Sequence, residues 1–243
     1  MEQNECKIEI LNKYIAESSY IVFFGGAGVS TESGIPDFRS VDGLYSQKYK
    51  CPPEQIVSRS FFMNNTSEYY EFHRSRLLHL DAKPNAAHMK LAELEKAGKL
   101  KAIVTQNIDG LHQAAGAKNV LELHGSVRNN ICINCRENYD VSVIVDSEDI
   151  PYCDCGGIIK PDIVLFEEQL NQKVINAALN HIANADMLII GGTSLGVYPA
   201  AGLIDYYEGN KLTLINKTET HVDSRANLVI YGSIGEILGG VRV

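Results

Sequence analysis

Tyr20-Ile21-Val22-Phe23-Phe24-Gly25-Gly26-Ala27-Gly28-Val29-Ser30-Thr31-Glu32-Ser33-Gly34-Ile35-Pro36-Asp37-Phe38-Arg39 is the stretch from which the rest of this 243-residue chain is best understood. Its first five residues have the composition of a strand buried on both faces. A buried strand that empties into glycines is how a Rossmann-type sheet brings backbone N–H groups to a diphosphate. Glycine suits that role because no Cβ stands between backbone and ligand. Thr31 occupies the place of the third glycine in G-x-G-x-x-G, and a tight turn after a core strand would produce the same letters. Ser33–Arg39 is not a helix opening, since Gly34, Pro36 and the pre-proline Ile35 break it. The glycine loop therefore runs into a second ordered loop that carries an acid, an aromatic ring and a guanidinium.

Similar apolar runs recur at 102–105, 120–123, 163–166, 187–190, 212–215 and 228–231. Short and rich in branched residues, they read as buried parallel strands. Helical patterns lie between several of them. The segment 85–97 follows Pro84 and stops at Gly98, the expected punctuation, and 172–183 and 199–207 are further candidates. Alternating strands and helices predict an α/β fold, a Rossmann-like doubly wound parallel sheet formed by 1–40, 84–127 and 161–243. Two stretches interrupt it: an aromatic, helix-compatible insertion at 41–83, and a cysteine-bearing module at 128–160. The ligand crevice is expected at the carboxyl ends of the strands, between the sheet and these insertions.

The net charge is −8, with no block of lysine or arginine. Nucleic acid is therefore not expected as a partner, because binding it takes clustered positive charge. An acidic balance suits lysine-rich protein substrates, although solubility alone would account for it. No basic n-region opens the chain and no run reaches the roughly 20 apolar residues of a membrane helix, so no membrane role and a cytoplasmic location are expected.

Four of the six cysteines lie close together, as Cys132-Ile133-Asn134-Cys135 and, after 17 intervening residues, Cys153-Asp154-Cys155. The spacing is near that of a zinc ribbon, and four thiolates would close a tetrahedral shell with no open position, making the metal structural. Two disulfides are the competing reading, one that fits secreted chains better.

Of the seven histidines, His124 ends the run 120–123 and precedes Gly125, which puts its ring at a carboxyl strand end. An imidazole there suits a general base. Asn107-Ile108-Asp109-Gly110 follows another strand and is equally good turn chemistry. Gly192-Thr193-Ser194-Leu195-Gly196 fits the G-x-S-x-G nucleophile elbow, with Asp205 and His221 following in hydrolase order. A serine hydrolase at Ser194 is thus an alternative, but little chain remains to carry the acid and histidine strands.

The glycine loop with Asp37, Phe38 and Arg39 resembles the cofactor loop of the sirtuins, NAD-dependent protein deacylases. Thr105–His112, Leu123-His124-Gly125, the cysteine cluster, Lys160–Phe166, Gly192–Leu195 and Ile215-Asn216 follow in that family's order. The resemblance implies that the chain transfers the acyl group of an acyl-lysine protein or peptide to ADP-ribose. In the family mechanism the acyl oxygen attacks the ribose carbon, nicotinamide leaves, and His124 then deprotonates a ribose hydroxyl, giving O-acetyl-ADP-ribose. It further implies NAD contacts at Gly26, Ala27, Gly28, Thr31, Asp37, Phe38, Arg39, Gln106, Asn107, Ile108, Asp109, Gly192, Thr193, Ser194, Asn216 and Ile234. One structural zinc would sit on Cys132, Cys135, Cys153 and Cys155. The peptide would add as a β-strand between Val164–Phe166 and Gly196-Val197. An ADP-ribosyltransferase and a non-catalytic NAD-binding regulator are the remaining alternatives.

Three departures from the family pattern stand out. A single residue separates Cys153 from Cys155, where two are usual. Glu167 follows Phe166 where the family has glycine, a strained choice if that position needs positive φ. Family members that remove acidic acyl groups carry Tyr-x-x-Arg in the insertion. Here Tyr70 is followed three residues on by His73, with Arg74 expected to point away from both, so neutral acyl groups are the expected substrates.

Overall fold

A computed structural model describes residues 2–38, 40, 43, 44 and 51–243. The six-stranded sheet comprises β1 (Ile21–Gly25), β2 (Leu100–Thr105), β3 (Val120–Glu122), β7 (Met187–Gly191), β8 (Leu212–Asn216) and β9 (Leu228–Tyr231), in the order β3-β2-β1-β7-β8-β9. All its pairings are parallel. Every residue of β1, β7 and β8 is buried, because successive side chains feed apolar layers on opposite faces. Phe23 and Ile189 join one layer, while Val22, Phe24 and Ile190 join the other. The chain order reverses between β1 and β7, so a crevice opens where their carboxyl ends meet, as in doubly wound folds.

The flanking helices follow their sequence signals. Asn85 caps α5 (Ala86–Lys96), accepting from Ala87 N, while His88 Nδ1 accepts from Asn85 N to complete a capping box. Asn171 caps α8 (Gln172–Ala183) by accepting from Lys173 N, without the reciprocal bond. The candidate at 199–207 is a 3₁₀ helix, Ala200–Tyr206. The sequence reading has no counterpart for α1 (Glu2–Glu17), whose Leu11 and Ile15 lie in the same layer as Phe23.

The run 163–166 corrects the expectation of a seventh parallel strand. Ile163 ends β6 (Ile159–Ile163), which pairs antiparallel with β4 (Gly125–Cys132) in a separate sheet of order β5-β4-β6, β5 being Asn138–Asp140. Residues 164–166 continue as an extended strip outside both sheets. A four-residue apolar run carries no information about which sheet it joins. The strands β4 and β6 cross the boundaries drawn at 127/128 and 160/161.

Between β1 and α5 the chain forms short helices: α2 (Pro53–Ile56), α3 (Arg59–Asn64), α4 (Thr66–Phe72) and a π turn over His73–Leu77. Their aromatics Phe62, Tyr69 and Tyr70 pack with Val127, Ile163 and Leu165 of the small sheet and the strip. The short helices α6 (Leu111–Ala114), α7 (Ser142–Val145) and α9 (Ile234–Gly239) complete the chain.

Candidate active site

The loops after β1 and β7 touch directly. Gly28 N donates to Gly192 O at 2.8 Å, and a Cβ on Gly28 would fall 2.8 Å from Gly192 Cα. Glycine is thus required at 28 for one loop to lie on the other, a different reason from the close ligand approach expected from sequence. Gln106 Nε2 donates to Thr193 Oγ1 at 3.1 Å. Asn216 grips the same loop at both ends of its amide, Oδ1 accepting from Thr193 N and Nδ2 donating to Thr193 O. Its carboxamide is therefore committed to placing the Thr193 loop.

A second network crosses from the β1 loop to the β2 loop. Ser30 Oγ donates to Asp109 Oδ2 at 2.6 Å and accepts from Asn107 Nδ2 at 3.0 Å. Asp109 Oδ1 accepts from Leu111 N, and Asn107 N donates to Thr105 Oγ1. Ser30 is absent from the sequence candidates although it orients two of them; its partners lie 77 and 79 residues away. Glu32 was missed for the same reason, its carboxylate accepting from Gly235 N at the start of α9. Thr31 Oγ1 donates to Gly28 O, closing the glycine turn.

His124 sits two residues beyond β3, and Gly125 follows with φ 74°. A Cβ on Gly125 would fall 1.9 Å from Asp162 O, so glycine is obligatory on grounds of both angle and space. His124 Nδ1 lies 3.0 Å from Gln106 O. A carbonyl only accepts, so Nδ1 carries the proton and Nε2 keeps its lone pair. Burial pushes the imidazole below its ordinary pKa and the bond to Gln106 O works against that, leaving a net lowering.

A cavity of about 280 Å³ gathers these groups. Its walls include Ala27, Phe38, Gln106, Asn107, Ile108, Asp109, His124, Val164, Phe166 and Val197. Gly196 and Ser194 are exposed on the adjoining loop. Ile234 is buried in the sheet's apolar layer, its side chain facing Gly191. Arg39 lies outside the described residues. Asp205 pairs with Arg225 at 2.6 Å, which occupies the acid that the hydrolase reading needs.

The strip at 164–166 is partly hydrogen-bonded within the chain. Phe166 N and O are bonded to Val57 O and Arg59 N, Leu165 O accepts from Glu168 N, and Leu165 N donates to Glu168 Oε2. The middle of the strip is already paired. Among the described residues, the Val164 carbonyl and the Glu167 N–H are left without a backbone partner.

The four clustered cysteines fit a metal. Their Sγ atoms all lie within 4.8 Å of one another, with Cys132 to Cys155 and Cys135 to Cys153 each at 3.5 Å. A tetrahedral zinc–thiolate shell with bonds of about 2.3 Å sets its sulfurs roughly 3.8 Å apart, whereas a disulfide needs about 2.05 Å. The single-residue spacing of Cys153 and Cys155 is accommodated by a turn in which Cys153 N donates to Gly157 O and Gly156 N to Cys153 O.

The insertion's Tyr70 and Arg74 face each other, against the expectation. Arg74 Cζ lies 5.3 Å from the Tyr70 ring, as the four-residue spacing on a helix allows. Both are spent on the small sheet and its α7 connection: Tyr70 OH donates to Ile159 O, and Arg74 donates to Ile144 O, Ser147 Oγ and Asp149 O. The insertion's contributions to the cavity wall are Leu44, Val57, Arg76, Leu77 and His79 instead.

Known proteins share this arrangement. The Sir2 family model matches residues 26–199. The NAD-dependent protein deacetylase of Clostridium acetobutylicum is 59% identical over 236 residues, 96% of each chain. That of Clostridium perfringens is 58% identical over 239 residues, 97% of this chain and 98% of the relative. Among solved structures, a Sir2 with p53 peptide and NAD+ superposes with a TM-score of 0.84 at 42% identity, covering 95% of this chain and 94% of the other. A Sir2 with deacetylated p53 peptide and 3'-O-acetyl-ADP-ribose gives 0.87 at 40%, covering 95% of both. A match of this length, on a chain whose two glycine loops touch, whose cavity wall carries a histidine and whose small sheet gathers four cysteines, leaves one conclusion: the chain belongs to the Sir2 family.

Proposed function

We propose that this chain, an NAD-dependent protein deacetylase of the Sir2 family, works with His124 as its general base. The observation that carries the reading is the bond from His124 Nδ1 to Gln106 O, which leaves Nε2 unprotonated at the cavity. NAD, when bound, supplies a ribose that loses nicotinamide and receives the acyl group. His124 Nε2 takes the proton of the ribose hydroxyl. Gly26, Ala27, Gly28, Thr31, Asp37 and Arg39 belong to the diphosphate and ribose side in this reading, with Gly192, Thr193, Ser194, Asn216 and Ile234 on the adenosine side. Asn107 and Asp109, oriented through Ser30, serve the reactive ribose and the nicotinamide, beside Gln106 and Ile108. Phe38 covers the face that nicotinamide vacates.

The acylated peptide lies between Val164–Phe166 and Gly196-Val197, its backbone meeting the Val164 carbonyl and the Glu167 N–H. Binding through backbone groups accepts many sequences. Cys132, Cys135, Cys153 and Cys155 hold a structural zinc. None of the helices among the described residues is long and apolar enough to cross a membrane, and we infer a cytoplasmic location without nucleic-acid or membrane partners.

Incubation with NAD and an acetyl-lysine peptide tests the reading. Deacetylated peptide, nicotinamide and O-acetyl-ADP-ribose should appear in equal amounts. ADP-ribose left on protein would point to a transferase, and fluorophosphonate labelling of Ser194 to a hydrolase.

A further inference from the structure

Glu167 has φ 74°, a left-handed conformation that a side chain makes unfavourable and glycine does not. The chain nevertheless keeps a carboxylate there, and its two oxygens are both used. Oε2 accepts from Ser60 N at 2.9 Å and Oε1 from Ser60 Oγ at 2.8 Å. Ser60 is the second residue of α3, a short helix whose first N–H groups need partners. The strip and the Glu167 that follows it supply two of them, since Arg59 N donates to Phe166 O and Ser60 N to Glu167 Oε2, while Ser58 Oγ accepts from Phe61 N. The neighbouring Glu168 ties the same corner from the other side, pairing with Arg59 at 3.3 Å and Lys160 at 3.1 Å. Helix α3 and the strip thus fix each other, and the strained peptide unit at 167, on the cavity wall, is one whose N–H has no backbone partner among the described residues.

We propose that Glu167 and Ser60 form a clasp that holds the peptide-binding edge in its working geometry, making Glu167 a positioning residue for the acylated peptide. The proposal rests on the peptide site proposed above. The side chain holds the backbone angle that glycine would visit only part of the time, so the Glu167 N–H is aimed before the substrate arrives. Preorganisation of this kind acts on substrate affinity rather than on the chemical step.

The test is steady-state kinetics of the full-length protein on an acetyl-lysine peptide, with NAD varied separately. Glu167→Ala and Ser60→Ala should each raise the peptide KM about three- to tenfold, the worth of one or two hydrogen bonds, with kcat and the NAD KM within about twofold. Ser60→Thr, which keeps the hydroxyl, should restore the parent value. Glu167→Gly relieves the backbone angle but removes the carboxylate, and should resemble Glu167→Ala. A peptide KM unchanged in both alanine variants, or a parent-like Glu167→Gly, would overturn the clasp. So would a parallel fall of kcat, NAD affinity and melting temperature, which marks a merely structural contact. Val197→Asp is the control for the site itself. If it raises the peptide KM while the clasp variants do not, the groove stands and the clasp fails; if it has no effect, the groove assignment fails.

Discussion

The two sheets of this protein are stabilised by different means. The parallel sheet buries every residue of three adjacent strands between two apolar layers, so its stability is spread over many side chains. Away from Val127 and Ile163, which pack on the insertion's aromatics, the small antiparallel sheet has a buried cluster of Cys132, Cys153 and Ile159, with Tyr139 and Val143 packed partly against it. A module with so few buried residues needs a covalent or metal staple. His124 and Gly125 stand at the seam, where β3 of one sheet hands over to β4 of the other. The lesson is that damage to one sheet should be separable from damage to the other, while both should disturb the seam.

The largest expected effect comes from removing the staple. Cys132→Ala or Cys155→Ala, or a strong chelator, should unfold the small sheet and abolish activity while the parallel sheet survives. Metal analysis should give one zinc per chain in the parent and much less in the variants. Hydrogen exchange should show loss of protection in β4–β6 with β1, β7 and β8 still slow. Full activity in metal-free protein, or simultaneous loss of protection in both sheets, would break the contrast.

Next in size is the seam. His124→Ala should lower deacetylation by about 10²–10⁴-fold, the usual contribution of a general base, with the melting temperature and NAD binding little changed. Activity within a few-fold of the parent would remove His124 from that role.

The parallel sheet was legible because its strands are apolar runs ending in small or polar residues, α5 because Pro84 and Gly98 bracket it, and α8 from its helical pattern. The strip at 164–166 was not, since four apolar letters fit either sheet. Helix α1 went unread in a polar segment, though Ile8, Leu11 and Ile15 recur at helical spacing. Within the candidate site, His124, Asn107 and Asp109, which the structure brings to one cavity wall, were singled out through loop motifs. Ser30, Glu32 and the clasp at Ser60 were not, because each acts through a partner at least 77 residues distant and sequence carries no sign of that pairing. Glu167 was visible only as an oddity, and its positive φ is what the oddity meant.

A smaller effect concerns the acyl group. The cavity wall is largely apolar around Ile108, Leu77 and Val164, and Arg76 already interacts with other groups of the chain. Burying a carboxylate without a dedicated cation is costly, so kcat/KM for acetyl-lysine should exceed that for succinyl-lysine by about tenfold or more on one peptide. Faster succinyl removal that disappears in Arg76→Ala would reverse this and name the cation.

Acid should act most gradually, and on both regions at once. His112, on the parallel-sheet side, is pushed down to about 3 by burial, with His88 close by adding to the shift. His88 itself is lowered by burial, although Asp109 and Glu32 oppose that. In the insertion, His73 stacks on Tyr69 at 5.7 Å and is pushed down to about 3 by burial, then by Arg74 and Lys160. An unfolded chain takes up protons on His73 and His112 as the pH falls below 6.5, whereas the folded chain resists until about 3. The unfolded state therefore binds more protons across that interval, and stability, complete above 6.5, declines as pH drops through it. Melting temperature should fall steadily from pH 7 to pH 4.5, and His73→Phe should flatten the decline without affecting zinc content. A melting temperature independent of pH over this range, or a variant with the parent's slope, would show that the buried rings do not govern acid stability. Where metal removal separates the two sheets, acid should bring them down together.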